Sequence, residues 1–256
     1  MKYKAVLYDM DGTVLDTLSD LTDAVNFSLA RFGYPARGAR EVRGFLGNGA
    51  RRLIELAVPA GTEEADILRV LEFYKPYYDA HCRVKTAPYD GILPLMRRLR
   101  AAGVMQAVIS NKPDPAVQEL AAAFFPGLLE YAVGESAAVR RKPAPDAVNA
   151  AAARLGLDKS ECVYVGDSEV DIATARNAGM DCIEHGIGMT AEQAAQMREQ
   201  GTWLVPTLTG YMENGLPNWR RGDKWVARYH QFWELHEKTF PEAVKAKVKI
   251  AAGTDT

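Results

Sequence analysis

The sequence predicts an α/β fold: a layered parallel sheet, an inserted all-helical cap and an atypical C-terminal extension. Two observations carry this reading. Three short apolar runs, "YKAVLYD" from residue 3, "VMQAVIS" (104–110) and "CVYVGD" (162–167), each stop at a polar cluster. Helical stretches separate the later runs, and that alternation is the pattern of a parallel sheet buried on both faces. A third observation marks the cap. Between residues 17 and 83 the alternation breaks, and apolar residues recur at helical spacing instead.

Taken in order, "YKAVLYD" is the first strand and ends at Asp9. In the cap, Leu18, Leu21, Val25 and Leu29 form one helical stripe, with Gly33 placed to close it. "GARRLIELAV" and "EEADILRVLEFYKPYYDAHC" are two further cap helices. Helices are then expected over 91–103, 113–125, 145–156 and 171–179, with weaker strands at 129–134 and 181–186. The domain division follows: a core of 1–16 and 84–182, a cap of 17–83, and a C-terminal segment of 183–256.

Composition narrows the function classes. Hydrophobic residues make up 48% and charged residues 25%, as in a soluble globular protein. A formal net charge of −2 gives no reason to expect nucleic acid or an anionic membrane as partner. No apolar run approaches the ~18 residues of a membrane span, and the N-terminus lacks the features of a secretion signal. Cys82, Cys162 and Cys182 are widely spaced with no CxxC, which suits reduced thiols in a cytoplasm. The oligomeric state is not legible in the sequence.

In open α/β sheets, ligands bind beyond the carboxyl ends of the strands. The polar clusters fall there. They offer carboxylates at Asp9, Asp11, Asp167 and Asp171, a hydroxyl at Ser110, an amide at Asn111, and ammonium groups at Lys112 and Lys142. In "DMDGT" (9–13) two carboxylates stand two apart where a strand opens into a turn. Gly12 lets the backbone turn sharply and bring its amides toward a ligand. One carboxylate can serve as covalent nucleophile and the other as general acid and base. Alone, the same letters describe an acidic turn that ends a strand. Asp171, at a helix start, can likewise be only a partner of the helix dipole. Asp9, Asp11 and Asp167 brought together would repel, and a hard, oxygen-liganded Mg²⁺ meets that need. Ser110 and Lys142 supply the hydrogen bond and positive charge that a transferred phosphoryl group requires.

The order "DMDGT", "VISNK", "RKPAPD", "GDSEVDI" resembles the haloacid dehalogenase superfamily, over residues 1–182. "GFLGNGARRLIELAV" (44–58) further resembles the cap of phosphoglycolate phosphatases. The resemblance implies a Rossmann-like core and a Mg²⁺-dependent phosphatase of a small phosphomonoester, phosphoglycolate first. It implies that Asp9 attacks phosphorus and becomes an aspartyl-phosphate, and that Asp11 protonates the leaving alkoxide and then activates water. Gly12, Ser110, Asn111 and Lys142 would bind phosphate. Asp9, the Asp11 carbonyl and Asp167 would hold Mg²⁺, with Asp171 in support. Asp11 also speaks against dehalogenation, because halide leaves without a proton. A sugar-phosphate mutase or a phosphonate hydrolase on the same core are rival readings. The second needs a Schiff-base lysine, for which Lys75 and Lys85 are the cap-region candidates.

Past Cys182 the sequence changes character. All four tryptophans (Trp203, Trp219, Trp225 and Trp233) lie beyond residue 200. Residues 183–256 resemble a C-terminal fragment of an amidohydrolase barrel, imidazolonepropionase-like or prolidase-like, with His185 and Asp255 at its metal-binding positions. The early His-x-His pair of such enzymes is absent, so the segment is read as a passenger and the chain as an apparent chimera. A fusion product without activity, and a binding role for the Trp-rich tail, are the readings outside the enzyme class. Trp203–Leu208 is expected to extend or cover the sheet edge, an uncovered edge being an aggregation hazard. One or two helices and a poorly ordered end are expected beyond Gly210.

Overall fold

The computed structural model describes residues 3–184, 191–200, 203–204 and 240–250. The chain divides into two compact units, Met1–Gly179 and Met180–Thr256.

The first unit is built on four parallel strands: β1 (Ala5–Tyr8), β4 (Met105–Pro113), β5 (Tyr131–Glu135) and β6 (Cys162–Val165). β1 lies between β4 and β6, pairing Ala5 with Met105 on one side and with Cys162 on the other. β5 pairs with the far side of β4. All four residues of β1 are buried, and β4 stays buried from Gln106 to Lys112. Such unbroken burial is why these strands read as apolar runs rather than as alternations. The α/β class and each strand expected in this unit are therefore present. An antiparallel pair of two-residue strands, β2 (Leu15–Asp16) and β3 (Ala87–Pro88), had no sequence signal.

Helices α1 (Leu18–Arg31), α2 (Ala39–Phe45), α3 (Gly49–Ala57) and α4 (Glu64–His81) form the insert between β2 and β3. Leu21, Val25 and Leu29 are buried along α1, and Gly33 follows it with a positive φ of 71°. The short α2 was not anticipated, since only Val42 of it is buried and it shows no stripe. The remaining helices are α5 (Ile92–Ala101), α6 (Asp114–Phe124), α7 (Asp146–Leu155) and α8 (Glu169–Ala178).

In the second unit, β7 (Asp181–Glu184) pairs in parallel with β8 (Trp203–Leu204), and β8 with β9 (Lys249–Ile250). α9 (Ala191–Gln200) connects the first two, and residues 240–245 are helical. Trp203–Leu204 thus extends a sheet beside β7; residues 205–208 lie outside the described residues. So do most of the helices expected beyond Gly210, as well as His185 and Asp255. Among the described residues, no helix is long and apolar enough to cross a membrane.

Candidate active site

Asp9 follows β1, Ser110, Asn111 and Lys112 close β4, and Asp167 follows β6, so parallel pairing brings all of them to one end of the sheet. Lys142 arrives from the loop between β5 and α7. Its ammonium is buried and lies 2.7 Å from both Asp9 Oδ1 and Asp171 Oδ1. Burial opposes that charge, but Asp171 and Asp9 more than offset it and hold Lys142 above the ordinary lysine value.

Asp9 is held well above the carboxylate range by burial, with Asp171, Asp167 and Asp11 pushing the same way and Lys142 opposing them. Asp167 presents its edge to solvent but is crowded by protein elsewhere. Burial first, then Asp171, pushes it up to about 6, against the Thr13 hydroxyl and Lys142. Asp9, Asp167 and Asp171 each offer a carboxylate oxygen, all within 4.8 Å of one another. The Asp171 carboxylate so close by raises the proton affinity of Asp9 and Asp167, and a cation relieves the same repulsion.

The three acids are not equivalent. Asp171 Oδ1 accepts from Lys142 Nζ at 2.7 Å and from Tyr164 Oη at 3.0 Å. Its Oδ2 accepts from Ser168 Oγ at 2.6 Å and from the Ser168 backbone N–H at 3.2 Å, forming the N-terminal cap of α8. Asp171 is thus both a helix cap and the anchor of Lys142, leaving Asp9 and Asp167 as the carboxylates open to a metal.

Gly12 has a φ of 83°, and a Cβ there would stand 2.2 Å from Asp167 Oδ2. The glycine of "DMDGT" therefore serves close approach between two loops as well as turning the chain. Ser110 Oγ accepts the Lys112 backbone N–H at 3.2 Å, and its own hydrogen remains available to a ligand. Asn111 is committed to the protein. Its Nδ2 donates to Gly47 O at 2.8 Å and to Lys142 O at 3.0 Å, and its Oδ1 accepts Lys142 N–H at 2.6 Å. Its side chain ties the cap and the Lys142 loop to β4.

Asp11 Oδ1 accepts from the buried Thr17 hydroxyl at 2.5 Å and stands 3.1 Å from Lys112 Nζ. Thr17 and Tyr164 escaped the sequence reading. A threonine before a helix reads as a cap and a tyrosine inside an apolar strand reads as core; only pairing across the fold reveals their partners. Beside this site, a cavity of about 470 Å³ is lined by Asn48, Arg51, Arg52, Glu55 and Arg141. None of the site carboxylates lines it.

A buried carboxylate at a strand end, a second one two residues on, a serine closing the neighbouring strand and a buried ammonium brought in by a loop define a class. Residues 3–179 match the family model of haloacid dehalogenase-like hydrolases. The chain belongs to that family, and it is an enzyme whose curated relatives are phosphoric monoester hydrolases. It is 34% identical over 229 residues to phosphoglycolate phosphatase 1 of Pseudomonas aeruginosa, covering 84% of this chain and 83% of the relative. It is 33% identical over 183 residues to the N-acetylmuramic acid 6-phosphate phosphatase of the same species, covering 70% of this chain and 80% of the relative. A phosphoglycolate phosphatase of Pseudomonas putida is 31% identical over 247 residues, covering 90% of both chains. Among solved structures, a candidate phosphoglycolate phosphatase from Lactobacillus delbrueckii subsp. bulgaricus superposes with a TM-score of 0.69 at 42% identity, over 72% of this chain and 86% of that one. CbbY from Rhodobacter sphaeroides, solved with phosphate, superposes with a TM-score of 0.59 at 26% identity, over 71% and 85%.

Proposed function

We propose that this enzyme hydrolyses a small phosphomonoester, phosphoglycolate foremost, through an aspartyl-phosphate on Asp9 with Mg²⁺ bound beside it. The observation that carries this is the convergence of Asp9, Lys142 and Asp167 at one sheet end, with Asp11 two residues from Asp9. The identities to two phosphoglycolate phosphatases support the substrate.

The donor set fits Mg²⁺. All candidate ligands are oxygens, two of the carboxylates have no strong partner except at one oxygen, and crowding lifts both Asp9 and Asp167. Asp9, Asp167 and the Asp11 carbonyl would hold the ion, with Asp171 behind them. When bound, it neutralises carboxylate and phosphate charge.

The protein's own residues do the rest. Lys142 pairs with Asp9 in the free protein and, with Ser110, meets the phosphoryl oxygens when substrate enters. Gly12 keeps the loop after β1 low enough for phosphate to approach. Asn111 contributes by fixing the Lys142 loop; its side-chain amide has no capacity left for phosphate. Asp9 attacks phosphorus in line with the leaving oxygen. Asp11 gives that oxygen a proton, and in the second half-reaction takes one from water. To do so Asp11 must leave Thr17 and Lys112.

The phosphonate-hydrolase reading loses support. A Schiff-base lysine needs a lowered pKa. Lys75 is exposed, and Lys85 is exposed and raised by its hydrogen bond and ion pair with Asp23. The likeness of 183–256 to an amidohydrolase fragment rests on sequence alone. The relative from P. putida covers 90% of this chain, more than the first 182 residues can supply. A cytoplasmic location remains our inference from cysteine usage.

The test is phosphate release from phosphoglycolate and a panel of small phosphomonoesters, with Mg²⁺, with chelator, and in Asp9→Asn. Turnover that needs Mg²⁺ and vanishes in Asp9→Asn is expected. No turnover from folded protein would favour the inactive fusion product instead. Preference for N-acetylmuramic acid 6-phosphate would reassign the substrate within the same chemistry.

A further inference from the structure

Lys112 has no part in the scheme above, yet it is one of the most enclosed cations in the first unit. Its side chain is 3% exposed, at the end of β4. Its Nζ donates to Tyr78 Oη at 2.5 Å, lies 4.4 Å from the centre of that ring, and stands 3.1 Å from Asp11 Oδ1. Tyr78 is itself buried, on the cap helix α4. The phosphoryl side of the site is served by Lys142, so a second buried ammonium on the Asp11 side needs another purpose.

Geometry supplies one. In the proposed reaction Asp11 acts at the leaving oxygen, so whatever is attached to that oxygen lies beside Asp11 and within the neighbourhood of Lys112. Asp11 must also quit its pairing with Lys112 to reach that oxygen. A buried ammonium stripped of its counter-charge is strongly unfavourable. An anion carried by the leaving group would replace the lost partner. The ammonium has three hydrogens, and Tyr78 and Asp11 account for two directions.

We propose that Lys112 is the anchor for a carboxylate borne by the leaving group, exchanging Asp11 for that carboxylate as substrate binds, while Tyr78 holds the ammonium from the cap. The substrate class is thereby narrowed to phosphate esters of α-hydroxy acids. Lys112 selects for the acid group and, by changing partner, releases Asp11 for proton transfer. This rests on the phosphatase reading.

The experiment compares phosphoglycolate with ethyl phosphate, which has a methyl group in place of the carboxylate. In the wild-type enzyme the kcat/KM ratio of the two esters is expected to favour phosphoglycolate by more than about 100-fold. In Lys112→Met that ratio falls toward one, mainly through KM, and Lys112→Arg restores part of it. A wild-type ratio near one overturns the proposal. So does a parallel loss on both esters in Lys112→Met, which would make the lysine only a positioner of Asp11. Calorimetric binding of both esters to Asp9→Asn separates this from the phosphatase reading. Tighter binding of phosphoglycolate, lost when Lys112→Met is added, supports the anchor whether or not the wild type turns over. Equal binding of the two esters refutes it.

Discussion

Asn111 grips the backbone of Lys142 from both sides: its Oδ1 accepts the Lys142 N–H at 2.6 Å and its Nδ2 donates to the Lys142 carbonyl at 3.0 Å. The residues are 31 apart in sequence, so this pair fastens the Lys142 loop to β4. Asn111→Ala should leave a buried N–H and carbonyl unpaired. A stability loss of about 2–3 kcal/mol is expected, together with a fall in kcat of roughly 10-fold or more from misplaced Lys142. Urea unfolding and steady-state kinetics on the same samples check both.

Lys142→Met should abolish turnover and destabilise the fold in a pH-dependent way. Asp9 and Asp171 would lose their shared cation and remain buried. Removing one partner of a buried ion pair costs about 3–5 kcal/mol. Asp9 is already raised in the intact site and rises further without Lys142. The deficit relative to wild type is therefore small at acid pH, where Asp9 is protonated, and grows as pH rises through its raised folded value. Chemical denaturation of both proteins at pH 5 and pH 8 measures this; a deficit equal at both values would contradict it.

Asp167 gives a second pH signature. Its folded pKa, pushed up to about 6, exceeds the ordinary carboxylate value of 3.8. The folded metal-free protein thus binds the extra proton between those values, and this group's contribution to stability falls as pH rises through them. Asp167→Asn in chelator should melt about 2–4 °C above wild type at pH 7.5, the gain being modest because the group is partly solvated. Below pH 4 the difference should vanish. With Mg²⁺ at pH 7.5 the order should reverse, because only the wild type retains the ligand. Thermal melts with and without the ion read all three.

Gly12→Ala should act on Asp167 at a distance of 155 positions. The new Cβ would fall 2.2 Å from Asp167 Oδ2, on a backbone with a φ of 83°. Neither strain nor clash is tolerable, so Asp167 must move. Mg²⁺ affinity, titrated by calorimetry, is expected to drop by at least about 10-fold, and activity with it.

Much of this protein was legible along the chain. Buried parallel strands need unbroken apolar runs, so β1, β4 and β6 announced themselves, and each run ended in the polar residues that reach the site. The cap was legible because α1 buries one stripe of an amphipathic helix. The pairing of β2 with β3 was not, since two-residue strands have no periodicity. α2 escaped for a similar reason, having a single buried residue.

The sequence by itself determined which chemical groups stand at the sheet end: the motif order and the strand ends settle Asp9, Asp11, Ser110, Lys142 and Asp167 as neighbours. Only the tertiary structure decided what each group is bonded to. It showed Asp171 supporting the site by capping α8 and anchoring Lys142, committed the Asn111 side chain, expected to bind phosphate, to clamping the Lys142 loop, and gave Lys112 its buried partners Asp11 and Tyr78. The reason is physical. Local sequence dictates where a side chain starts, whereas hydrogen bonds and ion pairs depend on where distant segments end, and burial forces every such group to find its partner.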